Sequence, residues 1–392
     1  MKKTIALLAV AISSSVTLAH ADDWKLAYKE PGGGFSFTSP DENFALKFLG
    51  YIQANQKFYL NTGYNNNPGN PVDYPYSFLV RRARFDIAAT AFKNYEFFME
   101  LDAAPTAGIL PVALHVSLPL YEDYLKLRAG RFITPFSAED NISSRNLETI
   151  ERSMVETSLI GLPSNDSQIG LMLYGSVFEK SFSYALSLTN GSNSSNSSIV
   201  GGTPAVTTPG VENNGSKDIQ AHLSYKVLPE LTVGAGYNYD VENTQTLAIK
   251  DLAGATYLSG LVVGQRQAYE GDLFYKMGDF SFRGEYIAAV FSDAAGNPTL
   301  NGFFAQAGYF VTGSELKGFQ PIVRFEQDGI TPSGVSANTL TTVTLGYNWF
   351  INSCVRHQLN LVNTSANNAI ATANYADGNS KQAILSEIQF KF

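Results

Sequence analysis

The chain has 392 residues, with 27 basic against 35 acidic side chains and a formal charge of −8. Nothing concentrates positive charge as a phosphate backbone would require, which argues against nucleic acid as a partner. A single cysteine, Cys354, excludes an intramolecular disulfide.

Residues 1–21 read as a secretory signal peptide: Met1-Lys2-Lys3, an apolar run from Ile5 to Ile12, and Ala19-His20-Ala21 before Asp22-Asp23. Without Lys2 and Lys3, 25 basic residues remain against 35 acidic ones, a formal charge of −10. No later stretch holds the roughly 18 to 20 uninterrupted apolar residues of a spanning helix. An exported chain can still cross a membrane as a closed barrel, whose strands need only about 9 to 11 residues and alternate apolar-out with polar-in. Its 26 phenylalanines, 21 tyrosines and 33 glycines against 16% charged residues suit that class.

Residues 22–43, with Pro31 and Gly32-Gly33-Gly34, keep no period and are expected to be a periplasmic lead-in. From Phe44 the period is two. Phe44, Leu46, Phe48, Ile52 and Ala54 share one face, and Lys47, Gln53, Asn55 and Lys57 the other. In the second strand Ala83, Phe85, Ile87 and Ala89 oppose Arg82, Arg84, Asp86 and Thr90. In the third, Phe97, Met99 and Leu101 oppose Glu96, Glu100 and Asp102. A fourth covers about 110–120. In the fifth, about 123–133, Leu125, Leu127 and Ala129 lie outward against Lys126 and Arg128.

Residues 134–167 then break the alternation. This long, polar, charged segment is expected to fold into the barrel and narrow its bore, with Ser137 opening a helix that carries Glu148, Glu151 and Arg152. Eleven further strands follow, with loops expected at 191–216 and 241–265. About 16 strands result, with short turns after even strands and longer segments after odd ones. That is the loop pattern of an outer-membrane barrel beginning and ending in the periplasm. The expected fold is therefore all-β, a 16-stranded antiparallel transmembrane barrel over 44–392. Its last strand alternates Ile384, Ile388, Phe390 and Phe392 with polar residues and resembles the signal that directs barrel assembly.

Phe78-Leu79-Val80-Arg81-Arg82-Ala83-Arg84, Leu127-Arg128-Ala129-Gly130-Arg131-Phe132 with Pro135-Phe136-Ser137, and Ser143-Ser144-Arg145 with Glu151-Arg152-Ser153 resemble the phosphate-selective porin O and P family. So do Tyr309-Phe310-Val311-Thr312-Gly313 and Gly346-Tyr347-Asn348-Trp349-Phe350-Ile351-Asn352. The resemblance implies a trimeric barrel in the bacterial outer membrane with its third external loop folded inward.

Rows of unopposed Arg and Lys would favour anions in such a bore. Here lumen bases such as Arg82, Arg84, Lys126, Arg128, Arg324 and Arg356 are nearly matched by acids such as Asp86, Glu100, Asp102, Glu270, Asp272, Glu285 and Glu326. Ile133 and Glu387 stand where many members of the family carry a base. The expected pore-lining and constriction residues are Arg82, Arg84, Lys126, Arg128, Arg145, Glu148, Glu151 and Arg152. Arg81 and Arg131, on otherwise outward faces, are expected at a subunit contact or at headgroup level.

His115, His222 and His357 lack the spacing of zinc ligands, and no Gly-x-Ser-x-Gly elbow is present, so neither a metal, a cofactor nor an enzyme is expected. Three readings remain: a water-filled homotrimeric porin for ions and small hydrophilic solutes, set in outer-membrane lipid; an anion or phosphate channel with a basic site at the constriction; and a surface adhesin or structural barrel.

Overall fold

The computed structural model describes residues 24–28, 33–60, 76–104, 108–160, 167–190, 217–250, 256–292, 299–331, 338–367 and 380–392. The segments expected to be a signal peptide (1–21) and a loop (191–216) lie outside the described residues. The described residues hold 19 strands in one sheet, of which Lys25–Tyr28, Phe35–Thr38 and Thr312–Ser314 are short. The remaining 16 form a wall: β1 (Phe44–Tyr59), β2 (Tyr76–Ala91), β3 (Tyr95–Asp102), β4 (Leu110–Tyr121), β5 (Leu125–Ile133), β6 (Ser167–Val177), β7 (Phe182–Thr189) and β8 (Asp218–Leu228). It continues through β9 (Leu231–Lys250), β10 (Thr256–Met277), β11 (Phe280–Ser292), β12 (Thr299–Tyr309), β13 (Lys317–Thr331), β14 (Asn338–Phe350), β15 (Val355–Asn367) and β16 (Ser380–Lys391). Each pairs antiparallel with the next. β16 pairs with β1 from Ala383↔Tyr59 to Lys391↔Tyr51 and closes the barrel.

Closure is tight at Gly50. Its backbone exchanges hydrogen bonds with Phe392, 3.3 and 3.0 Å long. A Cβ at Gly50 would stand 2.7 Å from the Phe392 ring. Where β16 ends, Phe35–Thr38 takes over the same edge of β1, from Phe35↔Phe48 to Thr38↔Ala45. Part of the expected lead-in thus completes the sheet and leaves less of that edge open.

The wall inverts the burial of a water-soluble protein. Ile52, Phe85, Leu114, Val116, Leu171, Leu188, Val323, Leu345 and Ile388 are exposed, while Gln53, Asn55, Gln220, Asn238, Thr342, Gln358 and Gln389 are buried. Water on both faces would leave that apolar surface unpaired with anything, whereas hydrocarbon outside and a polar interior account for both faces. Exposed aromatics gather beside the short turns: Phe92 with Tyr95, Tyr121 with Tyr124, and Trp349. Rings at that level suit the membrane interface.

One expected loop is largely strand. From Val241↔Gln265 to Lys250↔Thr256 the β9–β10 ladder continues with two register shifts. Thus 241–265 is chiefly a hairpin extension, with only 251–255 between its strands. The stretch shows no clean alternation in the sequence, but backbone pairing decides where a neighbouring strand supplies the partners.

Candidate functional site

The segment between β5 and β6 lies against inner-face side chains from much of the wall. Gln53 donates to the Ser144 carbonyl (3.3 Å), Arg356 to Leu147 O (2.8 Å), Asn348 to Glu148 O (3.0 Å) and Gln358 to Glu148 O (3.1 Å). The Ile150 N–H donates to Asn360 Oδ1 (2.9 Å), and that of Met154 to Glu326 Oε2 (2.7 Å). Backbone groups satisfied by wall side chains have no need of a helix. The helix expected from Ser137 is accordingly absent. A 3-10 turn, Ser144–Asn146, and the helix α1, Met154–Ile160, stand instead, with Glu148, Glu151 and Arg152 in irregular backbone between them.

Sequence did carry a signal for α1 in Ser153-Met-Val-Glu156, the spacing of a capping box. The Glu156 N–H donates to Ser153 Oγ (3.3 Å), but the Ser153 N–H donates to Glu139 Oε2 (2.8 Å) rather than to Glu156. Phe136, Leu147, Ile150, Met154 and Val155 are all buried, which gives the segment an apolar seat as well.

The expected site residues divide into three groups. Glu148, Glu151, Arg145 and Arg152 hold the segment. Ser281, Gln306 and Gln320 all donate to the Glu148 carboxylate, at 2.7 to 3.0 Å. Arg145 lies 3.5 Å from Asp86. Arg152 donates to the carbonyls of Asp140 (3.0 Å) and Ile142 (2.7 Å) and to Ser144 Oγ (3.1 Å), so it braces the segment internally.

Arg82, Arg84 and Arg128 lie on the wall. Arg84 pairs with Glu100 and, at 3.2 Å, with Asp102, as the facing of adjacent strands implied. Arg82 donates to Gln53 (2.9 Å). Arg128 donates to Ser117 (3.3 Å) and lies 4.7 Å from the centre of the Tyr174 ring, with no carboxylate in ion-pair range among the described residues. Lys126 stands apart from the segment. It pairs with Asp123 (3.1 Å) and Glu96 (3.4 Å) at the turn between β4 and β5.

Arg81 does not face the lipid. A register shift pairs Gln53 with Arg82 but Ala54 with Val80, so Arg81 is the extra residue of a β-bulge. The bulge turns its side chain inward, where it meets Glu151 Oε2 at 3.1 Å beside Lys57, 3.1 Å from Oε1. Burial alone would raise the Glu151 carboxyl, but Arg81, Lys57 and Arg82 overcome it and hold the group below the ordinary carboxylate range. Glu156 goes the other way, raised by burial and by Asp140 despite Arg152. Arg131 keeps its outward register between exposed Leu114 and Ile169.

A residue missed as central is Arg324. Fully buried, it donates to Glu139 (2.9 Å) and Thr149 (2.7 Å), lies 3.2 Å from Glu326 and covers the Phe304 ring at 4.4 Å. Strand alternation had placed it in the lumen, but only the fold brings Glu139, 185 residues away, to it.

The family described as phosphate-selective porin O and P matches residues 52–392. The chain belongs to that family. It is an outer-membrane channel for passive diffusion, located in the bacterial outer membrane. Its fold is similar to in-vitro folded OmpT of Vibrio cholerae (TM-score 0.62, 11% identity, covering 89% of this chain and 98% of that one). It is also similar to OprB of Pseudomonas putida (0.57, 11%, 88% and 94%) and to OmpF of Salmonella typhi in complex with daunomycin (0.56, 10%, 94% and 100%). No curated protein matches the chain.

Proposed function

We propose that this porin is a weakly selective, non-enzymatic diffusion channel whose bore is set by the segment 134–167. The observation that carries this reading is the pairing of basic side chains near the segment. Arg81 and Lys57 face Glu151, Arg84 faces Glu100 and Asp102, Arg145 faces Asp86, and Arg324 faces Glu139 and Glu326. A base whose charge is already answered by a carboxylate attracts a passing anion weakly. The physiological assembly is proposed to be a homotrimer in lipid, a reading supported by the trimer form of Vibrio cholerae OmpT, similar in fold at TM-score 0.57 and 11% identity.

An anion-selective channel is the second reading, favoured by the family and by Arg128, and by Arg283 over the Phe274 ring (4.2 Å), neither of which meets a carboxylate among the described residues. Liposome swelling with neutral sugars of graded size tests the diffusion reading. Uptake of small sugars that falls with solute size is expected. A barrel that passes no sugar would overturn it.

A further inference from the structure

Three side chains from two non-adjacent strands meet on the inner wall. His222 comes from β8, and Glu270 and Asp272 from β10, with β9 between them. They meet because β9 carries glycine at the crossing. Gly236 is paired with His222 on one side and Glu270 on the other, and Gly234 with Ser224 and Asp272. A Cβ at Gly234 would stand 2.0 Å from Asp272 Oδ2 and 2.9 Å from His222 Cε1, and one at Gly236 would stand 2.9 Å from Glu270 Oε2. A side chain at Gly234 would push Asp272 and His222 aside, and one at Gly236 would also meet the Phe136 carbonyl oxygen at 2.4 Å.

His222 Nε2 lies 2.9 Å from Asp272 Oδ2 and 3.5 Å from Glu270 Oε2. One ligand atom from each of the three falls within 4.8 Å of the others. A four-coordinate zinc with N and O bonds near 2.0–2.1 Å separates its ligand atoms by about 3.3 Å, so the groups need little movement to share an ion.

A second observation concerns Glu270 itself. Its side chain is fully buried, and neither carboxylate oxygen accepts a hydrogen bond. Glu285, the register partner of Asp272, accepts from the Glu139 N–H (2.9 Å) with one oxygen and from nothing with the other. Among the described residues no Lys or Arg forms an ion pair with Glu270 or Asp272. His222, when protonated, is the one base in ion-pair range of Glu270 and Asp272 among the described residues, so with Glu285 beside them three carboxylates share at most one positive charge, and burying ionised carboxylates short of partners is costly.

We propose that His222, Glu270 and Asp272 form a binding site for a divalent transition-metal ion of the zinc type. One imidazole with two carboxylates suits zinc better than magnesium or calcium, which favour all-oxygen shells of higher coordination. His222 binds through Nε2 and keeps its proton on Nδ1. Three protein ligands leave one position for water or a solute donor. His222 also lines a hollow of about 370 Å³ with Tyr174, Ser183 and Ser224, which gives an ion a way in. Spacing along the chain conceals the set, since His222 and Asp272 are 50 residues apart and only the β8–β9–β10 register joins them.

The test is calorimetric titration of the metal-stripped, detergent-solubilised full barrel with Zn²⁺. One site per chain is expected. His222→Ala and Asp272→Asn, each first shown to be folded by heat-modifiable gel mobility and circular dichroism, are expected to weaken it more than about tenfold. No stoichiometric binding to the wild type, or binding unchanged in both folded variants, would overturn the proposal. A misfolded His222→Ala would be replaced by His222→Gln, which keeps a polar side chain of similar length.

Discussion

Arg81 and Glu151, 70 residues apart, are joined because β2 carries one residue more than β1 opposite it. Without that bulge Arg81 would point at lipid, and Lys57 would be the one direct ion-pair partner left to Glu151. A local irregularity of the wall thus fixes the middle of the segment that lies against it.

Replacing Glu151 by Gln keeps the shape and removes the charge. Because Arg81 keeps 38% of its side chain exposed, the loss is expected to be about 1–2 kcal/mol, below the range for a fully buried pair. Single-channel recordings should show noisier current as the segment loosens. The held-down carboxyl contributes stability that is present above its ordinary value of 4.5 and is lost as pH falls through the lower folded value. The stability gap between wild type and variant should therefore be constant from pH 7 to about 4.5 and close only in stronger acid.

Glu156 has the opposite sign. Its folded carboxyl is raised, by burial first and then by Asp140, so the folded chain binds this proton more tightly than the unfolded chain, and stability falls as pH rises above 4.5. Glu156→Gln escapes that loss. Thermal unfolding followed by circular dichroism should show variant and wild type together near pH 4, with the variant at least as stable at pH 8.

Arg324→Ala leaves Glu139 and Glu326 buried without their cation and opens the space over Phe304. Loss of about 3–5 kcal/mol is expected. Arg324→Lys should recover only part of it, because an ammonium cannot reach Thr149, Glu139 and Glu326 with one planar fork. Unfolding midpoints of the two variants check the order.

The barrel was legible because its determinant is local: a period of two, repeated from Phe44 to Phe392 with short turns between. Strand facing alone puts Arg84 beside Asp102 and Gln53 in the lumen, as the barrel has them. What escaped depends on pairing between distant strands. Arg81 was placed outward because alternation assumes an unbroken register, and a single bulge reverses that. Ser137 was expected to start a helix because polar, charged composition does not reveal that Gln53, Asn348, Gln358 and Arg356 would take the backbone's hydrogen bonds. His222 looked isolated because its neighbours come from a strand two places away.

The paired and unpaired bases should differ in their effect on selectivity. Arg84→Ala leaves Glu100 and Asp102 uncompensated and should move the channel clearly toward cations. Arg128→Ala removes a base with no carboxylate partner among the described residues and should shift permeability by less, while leaving thermal stability nearly unchanged. Permeability ratios for potassium and chloride measured on both variants check the difference.

The central claim, that lumen bases already held by carboxylates leave a weakly selective channel, is tested most directly by the zero-current potential in a planar bilayer under a potassium chloride gradient, followed by added phosphate. A potential near zero and chloride current that phosphate does not block are predicted. A strong anion potential together with phosphate block would contradict the account and place an unanswered basic site in the bore.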